Sequence, residues 1–406
     1  MNKKKIINDP VYGFINIFDE IIFDLIEHPY FQRLRRIKQL GLTHFVYPGA
    51  MHTRFQHSLG SLHLMQSSID IIRSKGHEIT KEEALAAKIA ILLHDIGHGP
   101  LSHTLEDIWI TNFSHEEFSL LFMNELNKEF NGKLSLAIKI FKNQYHKKFL
   151  HQLVSSQLDM DRLDYLRRDS FFTGVSEGVI GSDRIIKMLS VHNDHLVIEA
   201  KGVHSIEKFL IARWIMYWQV YFHKTVISAD KLLSSILKRA KHLINKGEDI
   251  GCTPQLEYFL KEKYKNDNSQ SLLKNYSKLD DNDIAASLKL WAESDDKVLP
   301  LLSQNMLNRK LFTIDLQNDP FDEDKIKVIK KGIKSEFGLN DEQLRYFVFS
   351  DHISNKAYSA KNENIQILFK NQDVTDITEA SDMLNLSILS KTVKKYFLCY
   401  PKQSII

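Results

Sequence analysis

The chain has 406 residues, 43% hydrophobic, 26% charged and 10% aromatic, a composition that excludes disordered, collagen-like and fibrous classes. Its 54 basic and 51 acidic residues leave a net charge of +3, so nothing in the charge points to nucleic acid or an anionic membrane as partner. Cys252 and Cys399 are too few for a disulfide framework, and no apolar run reaches the ~18 residues of a membrane span, so the expectation is a cytoplasmic protein with no membrane partner.

Most of the first 320 residues read as helix. Leu25, Ile26, Phe31, Leu34, Ile37 and Leu40 fall near helical spacing, predicting a helix that starts near His28 with Pro29 in its first turn. Lys81–Ile96 is rich in helix formers and almost wholly apolar at its end, and Thr80 and Glu83 have capping-box spacing. Further helices are predicted at Ser205–Ala229, Lys231–Asn245, Ile284–Glu293 and Pro300–Leu307, with a turn and strand over His192–Ala200. Residues 246–283 are mostly polar and read as an exposed loop or short surface helix. Past Pro320 the pattern changes to an amphipathic helix at Asp324–Phe337 and strand-like runs at Leu344–Phe349, Asn364–Lys370 and Lys395–Tyr400. The predicted fold class is mostly α: a helical core over residues 1–320 and a small C-terminal α+β lobe over 321–406, regulatory or oligomerising in role.

Histidine usage carries the chemistry. Of 18 histidines, nine lie between residues 44 and 115. His94-Asp95 closes the most hydrophobic helix, where an ionised carboxylate is costly to desolvate unless a divalent metal compensates. Gly97 and Gly99-Pro100 follow and allow a sharp turn close to a ligand. His57 stands 37 residues before His94, and Asp161 stands 66 residues after Asp95, flanked by Asp159 and Asp164. His57, His94, Asp95 and one of those aspartates make a two-His, two-carboxylate site within residues 50–170, suited to phosphoester hydrolysis. Read alone, Asp161, Asp164, Arg168 and Asp169 fit equally a solvated, ion-paired helix face. His44, His63, His77 and His146 read as core or surface residues.

The segments Asn8-Asp9-Pro10-Val11-Tyr12-Gly13, Phe31–Gly41, Tyr47-Pro48-Gly49-Ala50, Thr53–Gly60, His94–His103 and Asp161–Asp169 together resemble the HD-domain metal-dependent phosphohydrolases. Among these the chain is similar to the sterile-alpha-motif- and HD-domain-containing dNTP triphosphohydrolase and its bacterial relatives, over roughly residues 7–315. The resemblance implies an HD-domain helical core in which His57, His94, Asp95 and Asp161 hold one divalent metal (Mn, Mg, Fe, Co, Ni or Zn). It implies a catalytic group of His98, Glu106 and His115, with Glu106 in place of a usual Asp. It places Arg54, His103 and Arg162 at phosphate positions, and Gln39, Leu40, Tyr165, Asp169 and Tyr221 near the sugar, with Arg213, His223 and Lys224 also matching. The implied reaction converts a dNTP and water to deoxynucleoside and inorganic triphosphate. Action on another nucleotide or phosphoester, and a non-catalytic nucleotide sensor, are the competing readings. A homo-oligomer, dimer or tetramer, is implied. Asn8, Arg35 and Arg309 match positions of an activating nucleotide, with Glu27 for an Asp, but Thr313, Ser205 and Gln219 depart from that pattern and weigh against such an activator.

Overall fold

Residues 4–101, 113–355, 358, 364–382 and 392–402 are described by a computed structural model of the chain. Strands β1 (Lys5–Asp9) and β2 (Gly13–Ile17) form an antiparallel hairpin that buries Ile15 and Ile17. The Asp9 carboxylate makes the turn by accepting the N–H groups of Val11 and Tyr12 at 2.9 and 3.0 Å.

The single helix expected around residues 25–40 is broken. A helix over Glu20–Glu27 ends at His28, whose ψ of 138° is the extended conformation that a following proline imposes. One short turn, Pro29–Gln32, and a 3-10 turn, Arg33–Arg36, follow before Ile37 is extended. The 3-10 turn carries the Arg33 guanidinium into the core, where it is fully buried.

Counting helices of eleven residues or more, the core is built from α1 (Arg54–Ser74), α2 (Lys81–Leu93), α3 (His115–Glu129), α4 (Met160–Thr173), α5 (Val203–Met216), α6 (Lys224–Asn245) and α7 (Asp281–Trp291). Capping boxes start α2 at Thr80 and Glu83, as the spacing predicts, and α3 at Ser114 and Glu117. Helix α1 packs against both α2 and α4. Gly60 makes the α1–α4 approach close: a Cβ there would lie 1.9 Å from Asp164 Oδ1 and 2.3 Å from Arg168 Nη2.

Between α5 and α6 the expected continuous helix gives way to a π-helical turn over Tyr217–Tyr221, and His223 then caps α6 by accepting the Thr225 N–H. The polar tract 246–283 is folded rather than an exposed loop: helices Pro254–Leu260 and Ser269–Tyr276 bury Leu256, Phe259, Leu260, Leu273 and Tyr276.

Strands β3 (Leu189–His192) and β4 (His195–Glu199) form a hairpin whose turn residues, Asn193 and Asp194, have φ of 49° and 61°, the signature of a tight primed turn. Past residue 320, helix α8 (Glu323–Glu336) lies on the surface, and β9 (Val393–Tyr400) and β6 (Phe349–Asn355) join the earlier strand β5 (Thr313–Gln317) in an antiparallel sheet of order β5-β9-β6. Leu344–Phe349, expected as a strand, is instead the end of a short helix, Asp341–Leu344, and the approach to β6. Strands β7 (Gln366–Leu368) and β8 (Val374–Asp376) extend the β3–β4 hairpin, with β7 parallel to β4 through Ile198 opposite Ile367. Among the described residues no helix is long and apolar enough to cross a membrane.

Candidate metal centre

His57 lies in the first turn of α1, His94 and Asp95 follow α2 directly, and Asp161 is in the first turn of α4. These helices bring the side chains to one point. His57 Nε2 lies 3.1 Å from Asp161 Oδ1, 3.3 Å from His94 Nε2 and 3.6 Å from Asp95 Oδ2. His94 Nε2 lies 3.4 Å from Asp95 Oδ1 and 3.6 Å from Asp161 Oδ1.

The outer ring atoms fix the protons. His57 Nδ1 faces Asp164 Oδ2 at 2.8 Å and His94 Nδ1 faces the Ile91 carbonyl at 2.6 Å, acceptors that assign hydrogen to each Nδ1, so that in its neutral form each ring points a lone pair inward. Two imidazole lone pairs and a carboxylate oxygen then face one another within 4.8 Å, an arrangement that repels itself unless a cation lies between. Ligands about 2.0–2.2 Å from a shared cation stand roughly 3.0–3.5 Å apart, close to the separations seen here, so His57, His94 and Asp161 fit a divalent metal, with Asp95 at its edge.

A proton answers the same electrostatic demand. Burial opposes charge on His57, but Asp161 and Asp164 outweigh it and push its pKa up to about 10. His94 is raised in the same way, burial being outweighed by Asp95 and Asp161, and Asp161 is held well below the usual carboxylate range by His57 and His94 despite its burial.

Behind this cluster stands a buried ion-pair chain. Arg168 Nε and Nη2 donate to the two oxygens of Asp164 at 2.9 and 3.0 Å, and Arg168 Nη1 donates to Asp9 at 2.7 Å. Asp164 and Arg168 are both fully buried and Asp169 is 1% exposed, which overturns the reading of these residues as a solvated helix face.

Asp95 also accepts from Arg54 Nη1, and its Oδ1 lies 3.2 Å from His98 Nε2. Burial and the Arg54 cation together drive His98 well below the usual histidine range, so its ring is neutral. The His98 ring stacks on His115 with centroids 4.0 Å apart, which joins two of the three residues expected to act in catalysis. His103 and Glu106 lie outside the described residues.

The residues expected near the sugar and phosphates are brought into separate polar contacts. Asp169 Oδ2 accepts from the Tyr221 hydroxyl at 2.7 Å, and Tyr221 meets Tyr165 edge-on at 6.3 Å. Arg162 lies against Asp159 at 3.3 Å, and Arg213 Nη1 donates to Gln157. Gln39 donates its N–H to the His52 carbonyl, while its Oε1 is buried with no hydrogen-bond partner among the described residues. Leu40 is half-buried beside it.

Sequence reasoning missed His52, whose Nε2 meets Asp169 Oδ1 at 2.8 Å and whose ring stacks on Phe172. It missed Asp9 as the end of the ion-pair chain and Arg33 as a donor to the carbonyls of Ile96 and His98. The i, i+4 spacing of Asp164 and Arg168 was a visible signal, and only its burial was hidden.

A helical core holding a His/Asp cluster able to take a cation is the class these features define. The chain matches the HD domain over residues 54–169 and the HD associated region over residues 180–250. It is 53% identical to a phosphohydrolase from Bacteroides thetaiotaomicron, whose crystal structure superposes with a TM-score of 0.94 and covers 98% of this chain and 100% of that one. It is 32% identical over 419 residues to the Bacillus subtilis protein YwfO, spanning 100% of this chain and 94% of that protein. A Dictyostelium discoideum deoxynucleoside triphosphate triphosphohydrolase SAMHD1 homolog is 31% identical over 266 residues, 61% of this chain and 51% of that protein. The chain belongs to the HD-domain phosphohydrolase family. It spans about half the length of the SAMHD1-type relatives it matches.

Proposed function

We propose that the protein is a metal-dependent deoxynucleoside triphosphate triphosphohydrolase. The observation that carries this reading is the convergence of His57, His94, Asp95 and Asp161 beside Arg54 and a stacked His98–His115 pair. Identity of 31% to the SAMHD1 homolog supports a dNTP as substrate.

In this reading His57, His94, Asp95 and Asp161 hold one divalent cation, which when bound supplies Lewis-acid polarisation of a phosphoryl oxygen and acidifies water. Arg54, 2% exposed and paired with Asp95, offers a rigid cation to the negative charge that grows on the α-phosphate as water attacks phosphorus. The bond between the α-phosphorus and the 5′-oxygen breaks, the water oxygen stays on triphosphate, and the 5′-oxygen takes a proton from His115 to leave as deoxynucleoside. His103 and Arg162 steady the remaining phosphates. Tyr221 and Tyr165 close the sugar face, so that a 2′-hydroxyl meets a ring rather than space; Asp169, Gln39, Leu40 and Arg213 complete that side. Residues 321–406 act in regulation or in assembly of a homodimer or homotetramer.

The test is hydrolysis of each dNTP, alone and mixed, with Mn²⁺, Mg²⁺, Fe²⁺ or Co²⁺, with products separated by anion exchange. Deoxynucleoside plus triphosphate, falling about a thousandfold or more in Asp161→Ala, is the expected result. Diphosphate or orthophosphate release would refute attack at the α-phosphorus. Silence with every metal and mixture would leave another phosphoester or a sensor role.

A further inference from the structure

One group of buried side chains converges on the backbone of a single loop, beside an Asp281–Lys38 ion pair at 3.4 Å and the Phe122 and Tyr276 rings under Arg33. Arg33, fully buried, donates through Nη2 to the carbonyls of Ile96 and His98 at 2.9 and 2.8 Å and through Nη1 to that of Leu279 at 3.0 Å. The Tyr276 hydroxyl donates to the Gly97 carbonyl at 2.9 Å. Asp281 Oδ1 accepts the Leu101 N–H at 3.3 Å, and its Oδ2 accepts the N–H of Lys38, next to Gln39, at 3.0 Å.

Three consecutive carbonyls of the loop after His94-Asp95 are thus held from segments far away in sequence. The backbone is strained at Leu101, whose φ of 48° persists only where surrounding contacts over-determine it. Arg33 spends its hydrogen bonds on neutral carbonyls and lies over the Phe122 and Tyr276 rings at 5.4 and 5.2 Å, so among the described residues no carboxylate hydrogen-bonds to this buried cation and its geometry serves the loop. None of the three residues lies in the matched regions, 54–169 and 180–250.

We infer that Arg33, Tyr276 and Asp281 are positioning residues that hold the His94–Leu101 loop so that the His98 ring lies against Asp95 and His115. The inference rests on the phosphohydrolase reading of the same site. The held carbonyls belong to residues 96–98 and so place the His98 ring first, and the change expected in turnover is larger than any change in metal content or KM.

The experiment compares Tyr276→Phe, Asp281→Ala and Asp281→Asn in the full chain by three readouts. These are amide hydrogen exchange, bound Mn²⁺ per chain, and kcat and KM on whichever nucleotide the wild type hydrolyses. Loss of one loop hydrogen bond is expected to raise exchange over the 96–101 loop and lower kcat, each by about fivefold to tenfold. KM and Mn²⁺ content stay within about twofold of wild type, and exchange in α1 and α4 stays unchanged. Asp281→Asn recovers part of the loss, because its remaining carbonyl oxygen still accepts the Leu101 N–H. Exchange raised evenly through the core with kcat unchanged, or Mn²⁺ lost with KM raised, would overturn the inference in favour of a purely scaffolding role. If the wild type hydrolyses no nucleotide, the proposed activity fails, and the loop-confined exchange pattern still decides the positioning.

Discussion

The floor of the metal centre and the loop beside it are held in opposite ways. The floor is side chain on side chain: His57 on Asp164, Asp164 on Arg168, Arg168 on Asp9, all buried. The His94–Leu101 loop is side chain on backbone, with Arg33, Tyr276, Asp281 and Ser119 each taking a carbonyl or N–H group. A charged chain tolerates no missing member, because each deletion strands a buried partner. A backbone clasp loses one hydrogen bond at a time. The floor is therefore expected to fail as a unit and the loop by degrees.

The largest effect expected on folding is in the floor. Asp164→Ala leaves Arg168 buried with only Asp9 and removes the acceptor that sets the His57 proton, at a cost of about 3–5 kcal/mol in urea unfolding together with loss of metal. Gly60→Ala drives a methyl group into the same pair, 1.9 Å from Asp164 Oδ1, and is expected to reproduce the phenotype without deleting any charge. If either variant keeps wild-type stability, the chain is not a unit.

Metal occupancy sharpens the comparison next. Saturation with Mn²⁺ at 100 times Kd should stabilise the fold by about 2.7 kcal/mol, read as a shift in the urea midpoint. The effect depends on pH, because the cation displaces a proton from His57, whose pKa stands at about 10 against about 6.5 unfolded. A raised folded pKa stabilises fully below about pH 6.5, and that stabilisation is lost as pH rises towards 10. Chelated protein should therefore weaken over that window while metal-loaded protein holds. Equal pH profiles would show that His57 does not exchange its proton for the cation.

Tyr221→Phe reaches the sugar flank. It removes the hydroxyl that donates to Asp169 at 2.7 Å but leaves Asp169 on His52 at 2.8 Å. KM for a dNTP is expected to rise about tenfold with kcat nearly kept, a loss of binding rather than of chemistry. A fall in kcat at constant KM would move Tyr221 to the reacting centre.

The same contrast explains what the sequence shows. His57, His94 and Asp161, the cluster able to hold a metal, are legible with Asp95 because such a site restricts residue type and their spacing survives as a pattern. The helical core is legible where hydrophobic spacing is unbroken, as in α2 with its Thr80–Glu83 cap. Arg33 and Tyr276 are not, because a carbonyl accepts from any suitably placed donor and leaves no motif. The π-helical turn at Tyr217–Tyr221 hides for a related reason: nothing in helical periodicity marks one extra residue in a turn. The tract 246–283 looks exposed by composition, yet its few apolar residues are the ones that pack.

The smallest effect tests whether the clasp is ionic at all. Arg36 Nε meets Asp280 beside Tyr276 and Asp281, and the arginine side chain is 46% exposed. Such a pair, screened by solvent, contributes under about 1 kcal/mol, and Arg36→Ala should leave kcat within about twofold of wild type. Asp280 itself retains work after that change, since its Oδ1 accepts the Asn282 N–H and its own N–H donates to Asp283 at the start of α7. A large loss in Arg36→Ala would therefore mean that the exposed ion pair, and not the buried hydrogen bonds to backbone, holds the 276–281 segment against the loop.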